Sequence, residues 1–353
     1  MTASRFPSQW GGQRIVGFMT DAKGLDFIVL TGFLGSGKTS LLRDFVAQPE
    51  AADTAVIVNE VGEIGLDGAI LSEGSGGIPV ALLSNGCVCC SIGSDLAVTV
   101  DALIESRRGA PLARIILETS GVSKPGAVLR SLGVLAPRRM RVGVVATFDC
   151  GRGTAIAAFE EAAAQWASAQ VMVLTKGDTV DAAGLARART AVSQINPLAE
   201  IVDTPDRRAA VLAAFGGVRP GHRAFAAIPD PPSGGLAAQH PRIGVLLADF
   251  AAPVPWDDLA EWLDDLAGLC GDRLLRVKGL VRIVGGDLPI LVQSVGTLFS
   301  APVAFTGVPP SARSFLVIIA RDIEGAAIAD LAPNLPLTVT RVTPTTPAEL
   351  FPG

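Results

Sequence analysis

Runs of apolar residues alternate with amphipathic stretches from residue 26 to about residue 215. Several residues in succession are Val, Ile or Leu in each run, which is typical of strands that are buried on both faces of a parallel sheet. Strands that alternate with helices predict a doubly wound α/β domain with a mostly parallel sheet. The predicted strands are 26–32, 54–60, 78–83, 113–119, 141–149 and 170–176.

The pattern changes after residue 215. Residues 216–241 are rich in Gly, Pro and Ala, which predicts a linker. The apolar runs that follow predict a smaller α+β domain of ferredoxin-like type. Its predicted strands are 242–250, 274–283, 289–296 and 314–320, and its helices lie near 255–269 and 323–332. The predicted division is a flexible leader (1–24), an α/β domain (25–215), the linker, the α+β domain (242–343) and a tail (344–353).

Composition narrows the functional classes. The chain has 353 residues, 49% of them hydrophobic, which is enough for two domains with their own cores. A formal net charge of −5 gives no reason to expect nucleic acid or an anionic membrane as a partner. The longest uncharged run, 288–312, contains four prolines and therefore does not predict a spanning helix. The first residues lack the apolar core of a signal peptide, so we expect a cytoplasmic protein with reduced thiols.

A phosphate-binding motif follows the first predicted strand. The sequence GFLGSGKTS fits G-x-x-x-x-G-K-[ST], with a buried strand before it and a helix after it. Glycines let backbone N–H groups turn toward phosphate, Lys38 spans the β- and γ-phosphates, and Thr39 ligates Mg²⁺. The motif predicts a nucleotide site made by Gly32, Gly35, Ser36, Gly37, Lys38, Thr39 and Ser40.

A second motif indicates the base. Thr175, Lys176 and Asp178 form TKGD at the end of a late strand, which matches the [NT]-K-x-D pattern of guanine readers. One carboxylate can accept hydrogen bonds from N1–H and N2–H₂ of guanine together. Adenine offers no such donor pair, so Asp178 favours GTP over ATP.

Acidic residues lie between these motifs. Glu118 ends a strand in ILETSG, where P-loop NTPases place the carboxylate that acts on Mg²⁺, and Gly121 could follow the γ-phosphate. The composition of NEVGEIGLD (59–67) alone favours a solvated acidic loop, but the stretch directly follows a strand where P-loop GTPases place switch I, which favours a nucleotide-responsive switch. Within it Glu60 is the candidate for orienting the attacking water.

Three of the five cysteines lie within four positions, at Cys87, Cys89 and Cys90. A disulfide, a redox pair with C-x-x-C spacing, a metal site and simple packing are the alternatives. Thiolates suit Zn²⁺ or Co²⁺ better than Mg²⁺ or Ca²⁺. Cys150 and Cys270 are interpreted as ordinary buried cysteines.

Taken in order, these motifs resemble the CobW-like family of metallochaperone GTPases, relatives of UreG and HypB. The shared motifs are the P-loop, NEVGEIGLD, the C-x-C-C triplet, ETSG and TKGD. RVKGL (276–280) and LVQSV (291–295) resemble motifs of the family's C-terminal domain. The chain differs from the family pattern in having Thr175 where Asn is commoner.

The resemblance implies a GTP-hydrolysing metallochaperone that holds Zn²⁺ or Co²⁺ on Cys87, Cys89 and Cys90, with Glu63 as a further ligand. It implies that the C-terminal domain contacts a client metalloprotein or metal-insertion enzyme, and it leaves room for a nucleotide-dependent homodimer. Two other functions stay open: a nucleotide-dependent regulatory switch with a structural metal, and an ATP-dependent kinase.

Overall fold

A computed structural model describes residues 25–59, 78–83, 92–107, 112–138, 140–217, 242–306, 313–332 and 334–342. Five of the predicted site residues lie outside the described residues: Glu60, Glu63, Cys87, Cys89 and Cys90. The chain separates into an N-terminal and a C-terminal unit. Within the described ranges, no helix is both long and apolar enough to cross a membrane.

The N-terminal unit is built on a sheet of seven strands, all of them parallel. The strands are β1 (Asp26–Gly32), β2 (Thr54–Asn59), β3 (Val80–Leu83), β4 (Arg114–Glu118), β5 (Arg141–Asp149), β6 (Val171–Thr175) and β7 (Glu200–Val202). Their order across the sheet is β3-β2-β4-β1-β5-β6-β7. The six predicted strands are confirmed. The short seventh strand, β7, was not predicted.

Helices cover both faces of this sheet, which confirms the doubly wound fold. They are α1 (Lys38–Val46), α2 (Ile92–Ser106), α3 (Pro125–Ser131), α4 (Glu160–Ser168), α5 (Ala182–Ile195) and α6 (Arg207–Phe215). On one face α1 and α6 share a core, where the rings of Phe45 and Phe215 lie 4.8 Å apart. On the other face Trp166 of α4 packs on Phe148 of β5 at 4.9 Å.

The C-terminal unit contains an antiparallel sheet with helices, as predicted. In chain order its elements are β8 (Ile243–Phe250), α7 (Trp256–Cys270), β9 (Leu274–Val281), β10 (Ile290–Val295), β11 (Leu298–Phe299), β12 (Val303–Ala304), β13 (Ser314–Arg321), α8 (Gly325–Ala329) and β14 (Leu337–Arg341). The side chains of Trp262, Leu263 and Leu266 on α7 pack into the core under the sheet.

The strand order shows why this unit is ferredoxin-like. Strands β14, β8, β13 and β9 lie side by side in that order, and helices connect β8 to β9 and β13 to β14. This is a β-α-β-β-α-β arrangement. Strands β10 to β12 are inserted between β9 and β13 and extend the sheet beside β9. The sequence did not predict β11, β12 or β14, which are short or half exposed.

Candidate functional site

The P-loop lies between β1 and α1, at the carboxyl edge of the parallel sheet. Gly35 and Gly37 have φ of +70° and +90°, a region that glycine enters without strain. Gly37 is the N-cap of α1, and no side chain of the described residues caps that end of the helix. The first N–H groups of α1 are therefore oriented toward the cleft in the way that suits a phosphate.

Lys38 lies inside this loop rather than in solvent. Its Nζ donates to the carbonyl oxygens of Gly32 at 2.9 Å and Phe33 at 3.3 Å, and its side chain is buried. The ammonium is thus held at the base of the loop by acceptors that a phosphate oxygen could replace.

Close packing fixes the start of the loop. A methyl group on Gly32 would lie 2.1 Å from Thr147 Oγ1, so only glycine fits there. Ser36 is buried, and its hydroxyl lies 2.6 Å from the hydroxyl of Thr147 on β5. Ser40 is exposed one turn into α1.

Oxygen ligands for a divalent cation converge beside Lys38. The Thr39 hydroxyl donates to Glu118 Oε1 at 2.7 Å, which joins the P-loop to the end of β4. Asn59, at the end of β2, lines the same cleft, and its buried Oδ1 accepts no hydrogen bond from the described residues. Hydroxyl, carboxylate and amide oxygens are the donors that Mg²⁺ prefers, so these residues fit the ion.

The base-reading motif adjoins the P-loop. The Thr175 hydroxyl donates to the carbonyl oxygens of Ser36 at 2.8 Å and Phe148 at 3.0 Å. Lys176 has φ of +54° and donates through Nζ to Gly35 O at 2.8 Å. Asp178 follows on an exposed 3₁₀ turn (Gly177–Thr179) and is not among the residues that line the cleft. Its carboxylate is open to solvent at the end of β6.

A buried carboxylate that was not predicted as a site residue connects these parts. Asp149 ends β5, its side chain is 2% exposed, and its Oδ2 accepts from Lys176 Nζ at 2.6 Å. Its Oδ1 accepts from the N–H of Gly151 at 2.9 Å. Arg152, three residues later, donates through Nη1 to Leu34 O at 2.8 Å. The signal was available in TFDC, where an acidic residue ends a buried strand next to β1.

A second missed residue supports the loop after Glu118. Gln165 on α4 is fully buried, and its Nε2 donates to the carbonyl oxygens of Gly121 at 3.1 Å and Ser123 at 3.0 Å. That loop touches the P-loop directly, because a methyl group on Gly121 would lie 2.6 Å from Leu34 N. A single glutamine in an alanine-rich helix carries no motif that could have revealed this contact.

These residues surround a cleft of about 400 Å³, lined by Leu34, Gly35, Gly37, Lys38, Thr39, Ser40, Val58, Asn59, Glu118, Thr119, Ser120, Gly121 and Lys176. The volume suits a small ligand. The lining combines the Lys38 and Lys176 ammonium groups and P-loop N–H groups with the oxygen ligands Thr39, Asn59 and Glu118, which together can hold a polyphosphate with its metal ion.

The two described cysteines lie outside this cleft. Burial raises the pKa of the Cys150 thiol to about 11, and the nearby charges of Asp149 and Asp203 add to the effect. Burial likewise raises the pKa of Cys270 to about 11. Both thiols therefore stay protonated near neutral pH, which agrees with their interpretation as packed cysteines. In the part of the chain that the structure describes, no three His, Cys, Asp or Glu residues gather as metal ligands.

Comparison with protein families gives two matches. Residues 26–203 match the CobW/HypB/UreG nucleotide-binding domain, which is half of the chain. Residues 243–332 match the cobalamin synthesis protein CobW C-terminal domain.

Individual relatives match along most of their length. The zinc chaperone CobW of Pseudomonas aeruginosa is 29% identical over 346 residues, which cover 87% of this chain and 90% of the relative. The zinc chaperone YjiA of Escherichia coli is 28% identical and covers 77% of this chain and 86% of its own. The crystal structure of Zn(II)-bound YjiA GTPase from E. coli shares the fold, with a TM-score of 0.62, 21% identity, and coverage of 88% of this chain and 99% of that one.

Proposed function

The chain belongs to the CobW/HypB/UreG family, and on that basis we propose that it is a GTP-hydrolysing metallochaperone that binds Zn²⁺ and delivers it to a client protein. The observation that carries the proposal is the convergence of Lys38, Thr39, Glu118 and Lys176 on one cleft at the carboxyl edge of the sheet. The relatives named as zinc chaperones support Zn²⁺ as the transported ion.

In this proposal, GTP lies along the P-loop. Lys38 and the N–H groups of the loop stabilise the negative charge that develops on the transferred phosphoryl group. Thr39 and Glu118 hold Mg²⁺, which when bound neutralises charge on the phosphate oxygens. Asp178 accepts hydrogen bonds from guanine while the Lys176 stem packs along the base. Glu60 remains the candidate for orienting the attacking water.

The metal site is assigned to Cys87, Cys89, Cys90 and Glu63, and the positions of two strand ends support this set. Residue 60 follows Asn59 at the end of β2, and residue 84 follows Leu83 at the end of β3. Asn59 and Leu83 are paired in register.

The chain therefore leaves the sheet from adjacent points in these two places. In the sequence, Glu63 and Cys87 each follow those strand ends by four positions, a separation that even a fully extended chain spans in about 14 Å. Asn59 also lines the nucleotide cleft. A metal held by these residues would be tied through β2 to the nucleotide cleft, and on this proposal the nucleotide state alters its affinity.

Nucleotide competition and metal stoichiometry test the proposal. The wild-type chain should hydrolyse GTP slowly, prefer GTP to ATP, and bind one equivalent of Zn²⁺. Preference for ATP would remove the guanine role of Asp178 and favour the kinase alternative.

The variant Cys89→Ser should stay folded but lose tight Zn²⁺ binding and transfer of Zn²⁺ to a client. Cys270→Ala serves as the control, because the Cys270 thiol is buried in the C-terminal unit. If Cys89→Ser unfolds the protein instead, the metal is structural and the regulatory switch becomes the better account.

A further inference from the structure

Two consecutive carbonyl groups of the P-loop are held by cations. Leu34 O accepts from Arg152 Nη1 at 2.8 Å, and Gly35 O accepts from Lys176 Nζ at 2.8 Å. Lys176 belongs to the base-reading motif, whereas Arg152 belongs to no motif in the sequence. We propose that Arg152 is a positioning residue that orients the Leu34–Gly35 peptide so that the Gly35 N–H points at the phosphates. This inference rests on the proposed function, because it requires a nucleotide in the cleft.

The planarity of the peptide bond gives the reason. In a trans peptide, the C=O of one residue and the N–H of the next point in opposite directions. The Leu34 carbonyl is turned toward Arg152, which does not line the cleft. The Gly35 N–H is consequently turned the other way, and both residues line the cleft. Inward N–H groups of this kind are what a P-loop offers to phosphate oxygens.

The Arg152 guanidinium lies close to the P-loop at Gly35 as well as at the Leu34 carbonyl. A methyl group added to Gly35 would lie 3.3 Å from Arg152 Nη2. The φ of +70° at Gly35 favours glycine, and the guanidinium lies close to where a side chain at this position would begin. A methyl group at position 35 would require the guanidinium to shift by a few tenths of an ångström.

A buried carboxylate fixes both cations. Asp149 Oδ1 accepts from the backbone N–H of Arg152 at 3.3 Å, and Asp149 Oδ2 lies 3.8 Å from Arg152 Nε and 2.6 Å from Lys176 Nζ. The Asp149 side chain is 2% exposed, so its position is set by packing at the end of β5. The loop carbonyls are thus held through Arg152 and Lys176 to one strand end of the sheet.

A merely structural role makes a different prediction. If Arg152 only connected β5 to the P-loop, its loss would change the thermal midpoint and leave the phosphate contacts as they were. A positioning role predicts that the loss of Arg152 changes the phosphate contacts and leaves the thermal midpoint nearly unchanged. The side chain is 51% exposed, so water competes for its hydrogen bond and a moderate effect is expected.

The test uses the full chain with the variants Arg152→Ala, Arg152→Lys and Arg187→Ala. Arg187 is the matched control, because it is an exposed arginine on α5 that does not line the cleft. The measurements are the GDP dissociation constant, kcat and KM for GTP, the ³¹P resonance of the β-phosphate of bound GDP, and the thermal midpoint.

Arg152→Ala should weaken GDP binding about five- to tenfold and lower kcat, with the midpoint changed by no more than about 2 °C. The β-phosphate resonance should move relative to wild type, and Arg152→Lys should recover part of both effects because its ammonium can still donate to Leu34 O. Arg187→Ala should match wild type.

An Arg152→Ala variant whose GDP affinity and ³¹P resonance match those of Arg187→Ala would overturn the inference and leave the proposed function intact. An affinity loss that appears only together with a large fall in the midpoint would also overturn it. A wild-type chain that binds neither GDP nor GTP would overturn the proposed function, and the inference with it.

Discussion

Replacing Gly121 with Ala should weaken nucleotide binding while the fold is retained. The added methyl group would lie 2.6 Å from Leu34 N, 2.8 Å from Leu34 Cα and 2.8 Å from Leu34 Cδ2. Ordinary van der Waals contact begins at 3.4 Å, so the P-loop and the loop after β4 must separate by about 0.8 Å (3.4 minus 2.6). Two of the three contacts are backbone atoms, which cannot rotate away.

The size of the effect follows from the cost of overpacking. Forcing one methyl group into a packed site costs about 1–3 kcal/mol. Here the strain is relieved by moving the Leu34 backbone, which displaces Gly35 and the N–H groups that follow it. If that cost appears in the bound state, the dissociation constant rises roughly five- to 150-fold.

Titration of a fluorescent GDP analogue measures the dissociation constant, and thermal denaturation checks the fold. Gly133→Ala is the matched control in the same unit, because a methyl group there would meet nothing within 4 Å. It should bind GDP as the wild type does. If Gly121→Ala binds GDP as tightly as Gly133→Ala, the two loops do not determine the phosphate site and the reasoning is refuted.

Three further predictions concern the cleft and the thiols. Glu118→Gln keeps an acceptor for the Thr39 hydroxyl but removes a negative charge beside the proposed Mg²⁺ site. In a Mg²⁺ titration of GTP hydrolysis, the Mg²⁺ concentration for half-maximal activity should rise and kcat should fall about tenfold or more. An unchanged Mg²⁺ dependence would contradict this prediction. Asp178→Asn should lower the preference for GTP over ATP about tenfold or more. It should also allow a xanthine nucleotide to bind, because the xanthine O2 can accept a hydrogen bond from the asparagine amide. Nucleotide competition curves that match those of the wild type would argue against the guanine role of Asp178. The thiols of Cys150 and Cys270 each have a pKa of about 11, so both should resist alkylation by iodoacetamide at pH 8. Mass spectrometry of the folded chain should find label on neither cysteine, and rapid labelling of either would contradict their burial.

The sequence predicted those parts of the fold that depend on local pattern. Strands such as β1 and β5 are continuous apolar runs, and they are buried on both faces as expected. The short strand β7 and the half-exposed strand β14 have no such run, because β7 has three residues and β14 alternates as LTVTR. Their pairing with β6 and β8 comes from neighbours distant in sequence, which a local pattern does not contain.

The residues of the candidate site likewise fall into those that a motif predicts and those that only the structure reveals. Lys38, Thr39 and Glu118 could be predicted because each occupies a fixed place in a motif with a strand beside it. Arg152 contacts Leu34, from which it is separated by 118 residues in the sequence, and Gln165 contacts Gly121, at a separation of 44 residues. No motif marks either side chain. Such supporting residues depend on how helices and strand ends pack around the loop, so they become visible only in three dimensions.

The most direct test of the account is the Zn²⁺ affinity of the purified chain in its two nucleotide states. A chromogenic chelator competes for Zn²⁺ in the presence of GDP or of a non-hydrolysable GTP analogue, each with Mg²⁺. The account predicts that the Zn²⁺ dissociation constant differs by about tenfold or more between the two states. The reason is that Asn59 at the end of β2 lines the cleft, and the proposed metal residues follow the ends of β2 and β3, which are paired in register. It also predicts that Cys87→Ser abolishes the difference. Equal Zn²⁺ affinities in the two states would contradict the proposal that GTP controls metal delivery.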